Sequence, residues 1–303
     1  YKGLGKFGTQ LNLNTDTVGD IIIGLPSQQE IDKIIGYIDH ETAKIDSLIE
    51  KQQQLIALLK EKRQAVISHA VTKGLNPNVK MKDSGVEWLG DVPEGWKVGK
   101  LGYYAKISNG ATPNRENKAF WENGNIPWLN SSKINDVFVT QAEQFITKDA
   151  LLKTSVQPVK ENDILMAITG EGQTRGRVAI CKISATINQH LAAISITDKL
   201  IDHEFLFLWL RSQYERLRFE SDGGGATKAA ITCGEIGAFP VVIPTSSEQK
   251  EIVKYIFKKN DHFDGLEEKA QYQIQLLQER RTALISAAVT GKIDLRDWQA
   301  SAA

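Results

Sequence analysis

Glu61-Lys-Arg-Gln-Ala-Val-Ile-Ser-His-Ala-Val-Thr72 is written almost unchanged a second time as Glu279-Arg-Arg-Thr-Ala-Leu-Ile-Ser-Ala-Ala-Val-Thr290. Working outward, the same shift of 218 positions carries Pro26 onto Pro244, Glu30 onto Glu248, Ile34 onto Ile252 and Ile38 onto Ile256, with no gap. It also carries Leu48 onto Leu266 and Leu59 onto Leu277. A period this long is not that of a solenoid. It points to two similar halves joined in one chain.

Each copy reads as a long helix. Ser27-Gln-Gln-Glu30 and Thr245-Ser-Ser-Glu248 follow a proline and fit a capping box, in which hydroxyl and carboxylate satisfy the free amides of the first turn. Apolar residues then recur at heptad spacing: Ile38, Ile45, Leu59 and Val66 in one copy, and Ile256, Phe263, Leu277 and Leu284 in the other. Leu48 and Leu266 follow Ile45 and Phe263 by three and are assigned to the same stripe. That is a coiled-coil seam. A helix of about 45 residues, rising about 1.5 Å each, is about 65 Å long. Its polar faces do not hold such a rod alone.

Composition narrows the class. The chain has 303 residues with an ordinary apolar fraction, 41%, enough for one large domain or two modest ones. No run of eighteen apolar residues and no charged-then-apolar leader is found, which predicts a cytoplasmic protein. Lys and Arg number 37 and so do Asp and Glu, which argues against a protein gripping nucleic acid by bulk charge and leaves room for a local basic face. Cys181 and Cys233 lack any metal-ligand spacing and read as free buried thiols.

The expected organisation is a tail of a preceding domain (1–25), a first long helix (26–75), a connector (76–96), a mixed globular domain (97–243) and a second long helix with a short tail (244–303). The chain opens on Tyr1, and the glycine-rich start leads into an apolar strand over 21–25, as if the body of an earlier domain were missing. Gly3, Gly5 and Gly8 satisfy a G-x-G-x-x-G spacing, but no strand precedes them and no helix opens from them, so a plain turn is the better reading. The connector is broken by Asn76-Pro77, Ser84-Gly85, Pro93 and Glu94-Gly95 and reads as extended. In the globular part, strands are expected over Leu101–Ile107, Ile126–Leu129, Ile164–Thr169, Val178–Lys182, Leu191–Ile196 and Phe239–Ile243, and helices over Thr147–Lys153 and Asp202–Phe219. Thr232-x-x-Glu235 caps one more turn. The fold class is therefore α+β, a mixed globular domain flanked by two long helices.

Taken together, the pattern resembles the specificity subunit of type I restriction-modification systems. Beyond the duplicated helices, the likeness is carried by Val92-Pro-Glu-Gly-Trp96, Ile107-Ser-Asn-Gly-Ala-Thr-Pro113 and Trp121-Glu-Asn-Gly-Asn-Ile-Pro-Trp128. Asp163-Ile-Leu165, Gly176-Arg-Val-Ala-Ile180, Asn188-Gln189 and the loop Gly223–Lys228 continue it in the family's order. The resemblance implies two target-recognition domains per full subunit, each reading half of a split DNA site, held apart by the two long helices packed as an antiparallel coiled coil. This chain would then carry the second recognition domain, both helices and only the tail of the first. It is either part of a longer subunit or a half-sized subunit that pairs with another copy. The implied partners are double-stranded DNA, a methyltransferase subunit using S-adenosylmethionine, and a restriction/translocase subunit using ATP and Mg²⁺. No cofactor is expected in the chain itself.

The residues agree with a binding role. Asn76-Pro77-Asn78 lacks the second proline and aromatic of an adenine-methyltransferase turn. Asp163 and Glu171 are the best carboxylate pair for Mg²⁺, yet no lysine is suitably placed, and Asp163 reads as a strand-start residue. His190 reads as a satisfied core histidine. Base reading needs Arg, Lys, Asn and Gln that form paired hydrogen bonds with base edges. Three glycine-bearing turns supply them: Asn109, Thr112, Asn114 and Arg115 in the first, Gln173, Thr174, Arg175 and Arg177 in the second, and Lys228 in the third. Arg175 is preferred over Arg177, since Gly176–Ile180 also reads as strand packing. The bland alternative is a solvated hairpin. Trp121/Trp128 and Tyr103/Tyr104 are assigned to packing, and Arg63 and Arg281 to a solvated charge run, a helix-end charge or a partner contact. The rival function is a coiled-coil scaffold whose globular domain binds a protein.

Overall fold

The computed structural model describes residues 19, 20, 22, 24–170, 173–221 and 230–299. The glycine spacing at Gly3–Gly8, Glu171 and Lys228 lie outside the described residues, as do Ile21 and Ile23 of the first expected strand. Ile22 and Leu25 are exposed and in no strand. The chain divides into two compact units, one ending at Ala57 and resuming at Glu267, the other Leu58–Leu266. The division cuts both long helices, α1 (Gln28–Lys73) and α6 (Ser246–Val289).

In the first unit the distal halves of the two helices run antiparallel. Asp46 of α1 meets Arg281 near the end of α6, and the tail beyond α6 folds onto the start of α1. There Trp298 stands edge-on to Tyr37, with ring centroids 5.7 Å apart, and lies against Gly36. The α1 start is capped as expected: the Ser27 amide donates to Glu30 Oε2 at 2.9 Å.

The seam differs from expectation at one step. Ile45 is 4% exposed, but Leu48 is 45% exposed, and half-buried Ile49 continues the stripe through Gln52 and Ile56. The spacing alternates four and three residues: Thr42 to Ile45 is a step of three, so the next must be four to stay on one face of a helix near 3.6 residues per turn. On α6, buried Ala270 and Ile274 and half-buried Leu277, Arg281 and Leu284 carry the stripe in this unit. Ile38 is half-buried.

The second unit holds the globular domain and the proximal halves of both helices. Leu59, Ile256 and Phe263 are buried, and Val66 and Leu266 half-buried. Glu248 closes the α6 cap, accepting from the Thr245 amide at 3.0 Å. The connector is not simply extended, because β1 (Met81–Asp83) and β2 (Asp91–Pro93) form an antiparallel ladder. It ends on Trp96, 1% exposed, whose indole donates to Glu248 Oε1 at 3.2 Å. Gly74, at φ 77°, is needed here: a Cβ would meet the Trp96 ring at 3.2 Å.

The core is a five-stranded sheet of β4 (Ala105–Asn109), β12 (Leu191–Ile196), β9 (Ile164–Ala167), β10 (Val178–Cys181) and β6 (Phe138–Val139), in that order. All four residues of β9 and of β10 are buried, as continuous apolar runs covered on both faces require. Ile164, Met166, Val178 and Ile180 face one core with α3 (His203–Ser212); Leu165, Ala167, Ala179 and Cys181 face another with Leu129 and Ile134. Six consecutive α3 residues, Phe205–Leu210, are buried, each fully buried large side chain contributing roughly 1.5–3 kcal/mol. The helix expected over 202–219 breaks at buried Gln213, and α4 (Tyr214–Ser221) follows.

A second sheet orders β7 (Gln144–Ile146), β5 (Ile126–Leu129), β11 (Ala185–Ile187) and β8 (Pro158–Val159), with β11 parallel to β5. The strand expected over 101–107 is instead β3 (Lys97–Lys100), a 3₁₀ turn at Leu101–Tyr103, and β4. β3 pairs with β13 (Pro240–Ile243), which delivers the chain to α6. Two short helices complete the unit: α2 (Lys148–Lys153), capped by Thr147, and α5 (Cys233–Ala238), where Thr232 and Glu235 form the full capping box. Tyr103 is 72% exposed and so is not core, whereas Trp121 and Trp128 do pack, edge to face at 5.3 Å. Cys181 is buried and Cys233 half-buried, both as free thiols. Among the described residues no helix is long and apolar enough to cross a membrane.

Candidate nucleic-acid interface

The strand register decides where the polar turns go. Asn109 pairs with Ala192, and Ala167 with Leu191, so β4 and β9 both end where β12 begins. The first turn leaves from Asn109: Gly110 donates to the Leu191 carbonyl at 3.1 Å and Ala111 to that of Ile187 at 2.9 Å. Gly110 is pressed so closely on the chain that a Cβ would lie 2.1 Å from the Asn188 carbonyl oxygen. The second turn closes the β9–β10 hairpin through Gly176 N to Ala167 O, 2.8 Å. Thr169 bridges Ala230, so the segment that follows the third turn returns to the same end of the sheet.

Side chains join these turns through Gln189, His190 and Thr169, which were not among the expected reading residues. Thr112 Oγ1 donates to Gln189 Oε1. Gln189 Nε2 lies 3.2 Å from His190 Nε2, and His190 Nδ1 lies 2.7 Å from Thr169 Oγ1. His190 is exposed, not a core histidine, because the turn before β12 holds it outside the strand. Asn188, by contrast, is buried, and its Oδ1 accepts from the His190 amide at 3.1 Å. A polar Asn-Gln pair ahead of an apolar strand is a turn signal that would have flagged Gln189.

Of the expected reading residues, Asn109, Thr112, Asn114, Arg115 and Gln173 are exposed. Asn114 Oδ1 accepts from the Glu116 amide at 3.0 Å, and its carbonyl accepts from the Trp121 indole at 3.0 Å, which shapes the first turn. Arg115 lies over Trp121, 3.9 Å from its centroid, and over Trp128 at 4.7 Å, so its guanidinium is oriented by stacking. Thr174 is half-buried. Arg175 is only 4% exposed, whereas Arg177 is half-buried, donating to Asn135 at 2.9 Å and to Gln173 at 3.1 Å. Exposure therefore favours Arg177 and Gln173 over Arg175, the reverse of the sequence-based preference. The strand begins at Val178, as expected, so of Gly176–Ile180 only Val178–Ile180 is strand, and Gly176, at φ 86°, is still part of the turn.

Asp163 is buried at the start of β9, its Oδ2 accepting from the Lys160 amide at 2.9 Å, which is the structural role expected of it. Among the described residues no group of three His, Cys, Asp or Glu side chains is placed to hold a metal ion. What the sheet end offers is an array of exposed amides and hydroxyls flanked by guanidinium groups, the chemistry that hydrogen-bonds base edges and phosphates.

The family model described as Type I restriction modification DNA specificity domain matches residues 93–276. Among curated proteins, the chain is 28% identical over 188 residues to the EcoR124I/EcoR124II specificity subunit of Escherichia coli, covering 61% of this chain and 45% of that one. It is 26% identical over 297 residues to the putative MjaX specificity subunit of Methanocaldococcus jannaschii, covering 95% and 63%. The fold matches a chain from a structure describing complex assembly and conformational transition of a type I R-M system, at TM-score 0.71 and 16% identity, covering 94% and 65%. It also matches the HsdS subunit from Thermoanaerobacter tengcongensis at TM-score 0.56 and 16% identity, covering 95% and 65%. The chain thus spans less than two thirds of the length of each of these relatives.

Proposed function

This chain belongs to the type I restriction-modification DNA specificity domain family, and from that premise we propose that it reads one half of a bipartite DNA site through the polar turns at the end of its five-stranded sheet. The observation that carries the reading is the linked array of Thr112, Gln189, His190 and Thr169, which ties the first turn to the second beside exposed Asn109 and Gln173. Bidentate Asn and Gln contacts read adenine in the major groove, and flanking arginines fix register on the backbone.

The chain's own role is binding. Methyl transfer from S-adenosylmethionine, ATP-driven translocation and cleavage belong to methyltransferase and restriction subunits that dock on it. Its long helices act as a ruler between two reading heads, the second head coming from a longer subunit or a second copy. The test is selection from a random duplex pool, with and without a methyltransferase subunit. Enrichment of one short block on a single copy, and of two blocks with a fixed spacer when two heads are present, supports the reading. No enrichment under either condition refutes it and leaves the protein-binding scaffold.

A further inference from the structure

Beside the reading turn, the globular unit has a groove of about 570 Å³ whose walls are Asn135–Val137, Gln173 and Gly176–Val178 of the turn, Gln64 of α1, and the break between α3 and α4. Three arginines line it: Arg177, Arg211 and Arg218. Their partners set them apart from most other arginines of the chain. Arg63, Arg216, Arg281 and Arg296 each pair with a carboxylate. Arg177 instead donates to the amide oxygens of Asn135 and Gln173. Arg218 donates to the Arg175 carbonyl at 3.4 Å and the Tyr214 hydroxyl at 3.3 Å, and Arg211 lies over the Phe207 ring at 5.9 Å.

All three therefore keep their positive charge facing one concavity, held in place by neutral groups. Burial pushes the Arg211 guanidinium below its ordinary value, and neighbouring Arg63 pushes the same way against Asp264. Such a cluster raises the local potential for an anion, and guanidinium forks match phosphate geometry. Asp136 and Glu215 also line the groove but form no direct ion pair with these arginines, so its lining sets three guanidinium groups against two carboxylates.

We propose that this groove binds a phosphodiester group of duplex DNA, clamping the backbone next to the bases read by the second turn. The proposal rests on the DNA-reading assignment above. It gives the Gln173–Arg177 turn two roles: Gln173, which also lines the groove and holds Arg177, reads bases, and Arg177 with Arg211 and Arg218 takes the phosphate.

The test is anisotropy titration of the full chain with random and with selected duplexes, at salt from about 50 to 200 mM, for wild type, Arg211→Gln/Arg218→Gln, and Arg218→Gln alone in case the double variant misfolds. Arg281→Gln, outside the groove, is the control. A phosphate clamp predicts that affinity falls by about tenfold or more on both duplexes alike, and that the slope of log K against log salt shrinks by about one per lost contact. Unchanged affinity and slope in a wild type that binds DNA would overturn the clamp and leave the reading intact. Loss confined to the selected duplex would make these arginines base contacts and also overturn it. If wild type binds no duplex, the reading itself fails. A melting shift with inorganic phosphate that the variants lack would then assign the groove to a free phosphate, and no shift would remove the anion site altogether.

Discussion

Arg63 Nη2 lies 2.6 Å from Asp264 Oδ1, and adding or subtracting the repeat length turns this pair into the other one: Arg281 Nε lies 3.0 Å from Asp46 Oδ1. Each pair sits within one compact unit, and in each an α1 residue meets an α6 residue of opposite charge. Both arginines are thus ion-paired across the helices, which a run of solvated charge does not require. The aspartates repeat as faithfully as the arginines.

These pairs are partly exposed, so their worth lies in register rather than in energy. A double-mutant cycle of Arg63→Ala and Asp264→Asn, read by urea denaturation, is expected to give a coupling of about 0.2–1 kcal/mol. A cycle showing no coupling would mean that the contact positions nothing.

The displaced seam makes a sharper prediction. Ile45→Ala should cost about 2–4 kcal/mol, while Leu48→Ala stays within about 0.5 kcal/mol. Equal losses, measured by thermal or denaturant unfolding, would restore Leu48 to the helix interface.

Glu248 links the α6 cap to the globular domain. Burial pushes its carboxyl up, but hydrogen bonds from the Thr245 side chain, the Trp96 indole and the Thr245 amide outweigh this and hold it below its ordinary value. A carboxyl with a depressed folded pKa contributes stability that is fully present above its unfolded pKa and is lost as pH falls through the folded one. Stability should therefore drop as pH falls from about 5 toward 3, and Glu248→Gln should flatten that part of the profile. Identical profiles for wild type and variant would exclude the linkage.

Gln173→Ala separates base reading from backbone grip. Loss of a base contact should cost about 1–3 kcal/mol on the selected duplex and little on random DNA, leaving the salt slope unchanged. Equal weakening on both would make Gln173 another backbone contact.

The ruler has its own test. Removing seven residues from each helix, 49–55 and 267–273, keeps the seam in frame and shortens the rod by about 10 Å, or roughly three base pairs of spacer. A selected site whose spacer does not change would dismiss the ruler.

Much of this molecule was legible in the sequence because its strongest signals are local. Capping boxes at Ser27, Thr232 and Thr245 need only four residues each, and the runs Ile126–Leu129 and Leu191–Ile196 are strands over the residues expected. β6, β7, β8 and β11 escaped because two or three residues are too few for a period of two to show. The break at Gln213 was hidden because the apolar residues Leu210 and Leu217 continue helical spacing across it. In the candidate site, the first two polar turns picked out by residue type leave from one end of the five-stranded sheet. Exposure was not legible, since Arg175 goes in and His190 stays out in turns whose conformation residue types do not fix.

Gly110 carries a practical message for anyone who wants to retarget this protein. Between exposed Asn109 and Thr112 sits a position that tolerates no side chain at all without moving the Ile187–Asn188 backbone. A mutagenesis library over this loop thus has a fixed hinge pin. A side chain at the glycine takes the loop off its mount.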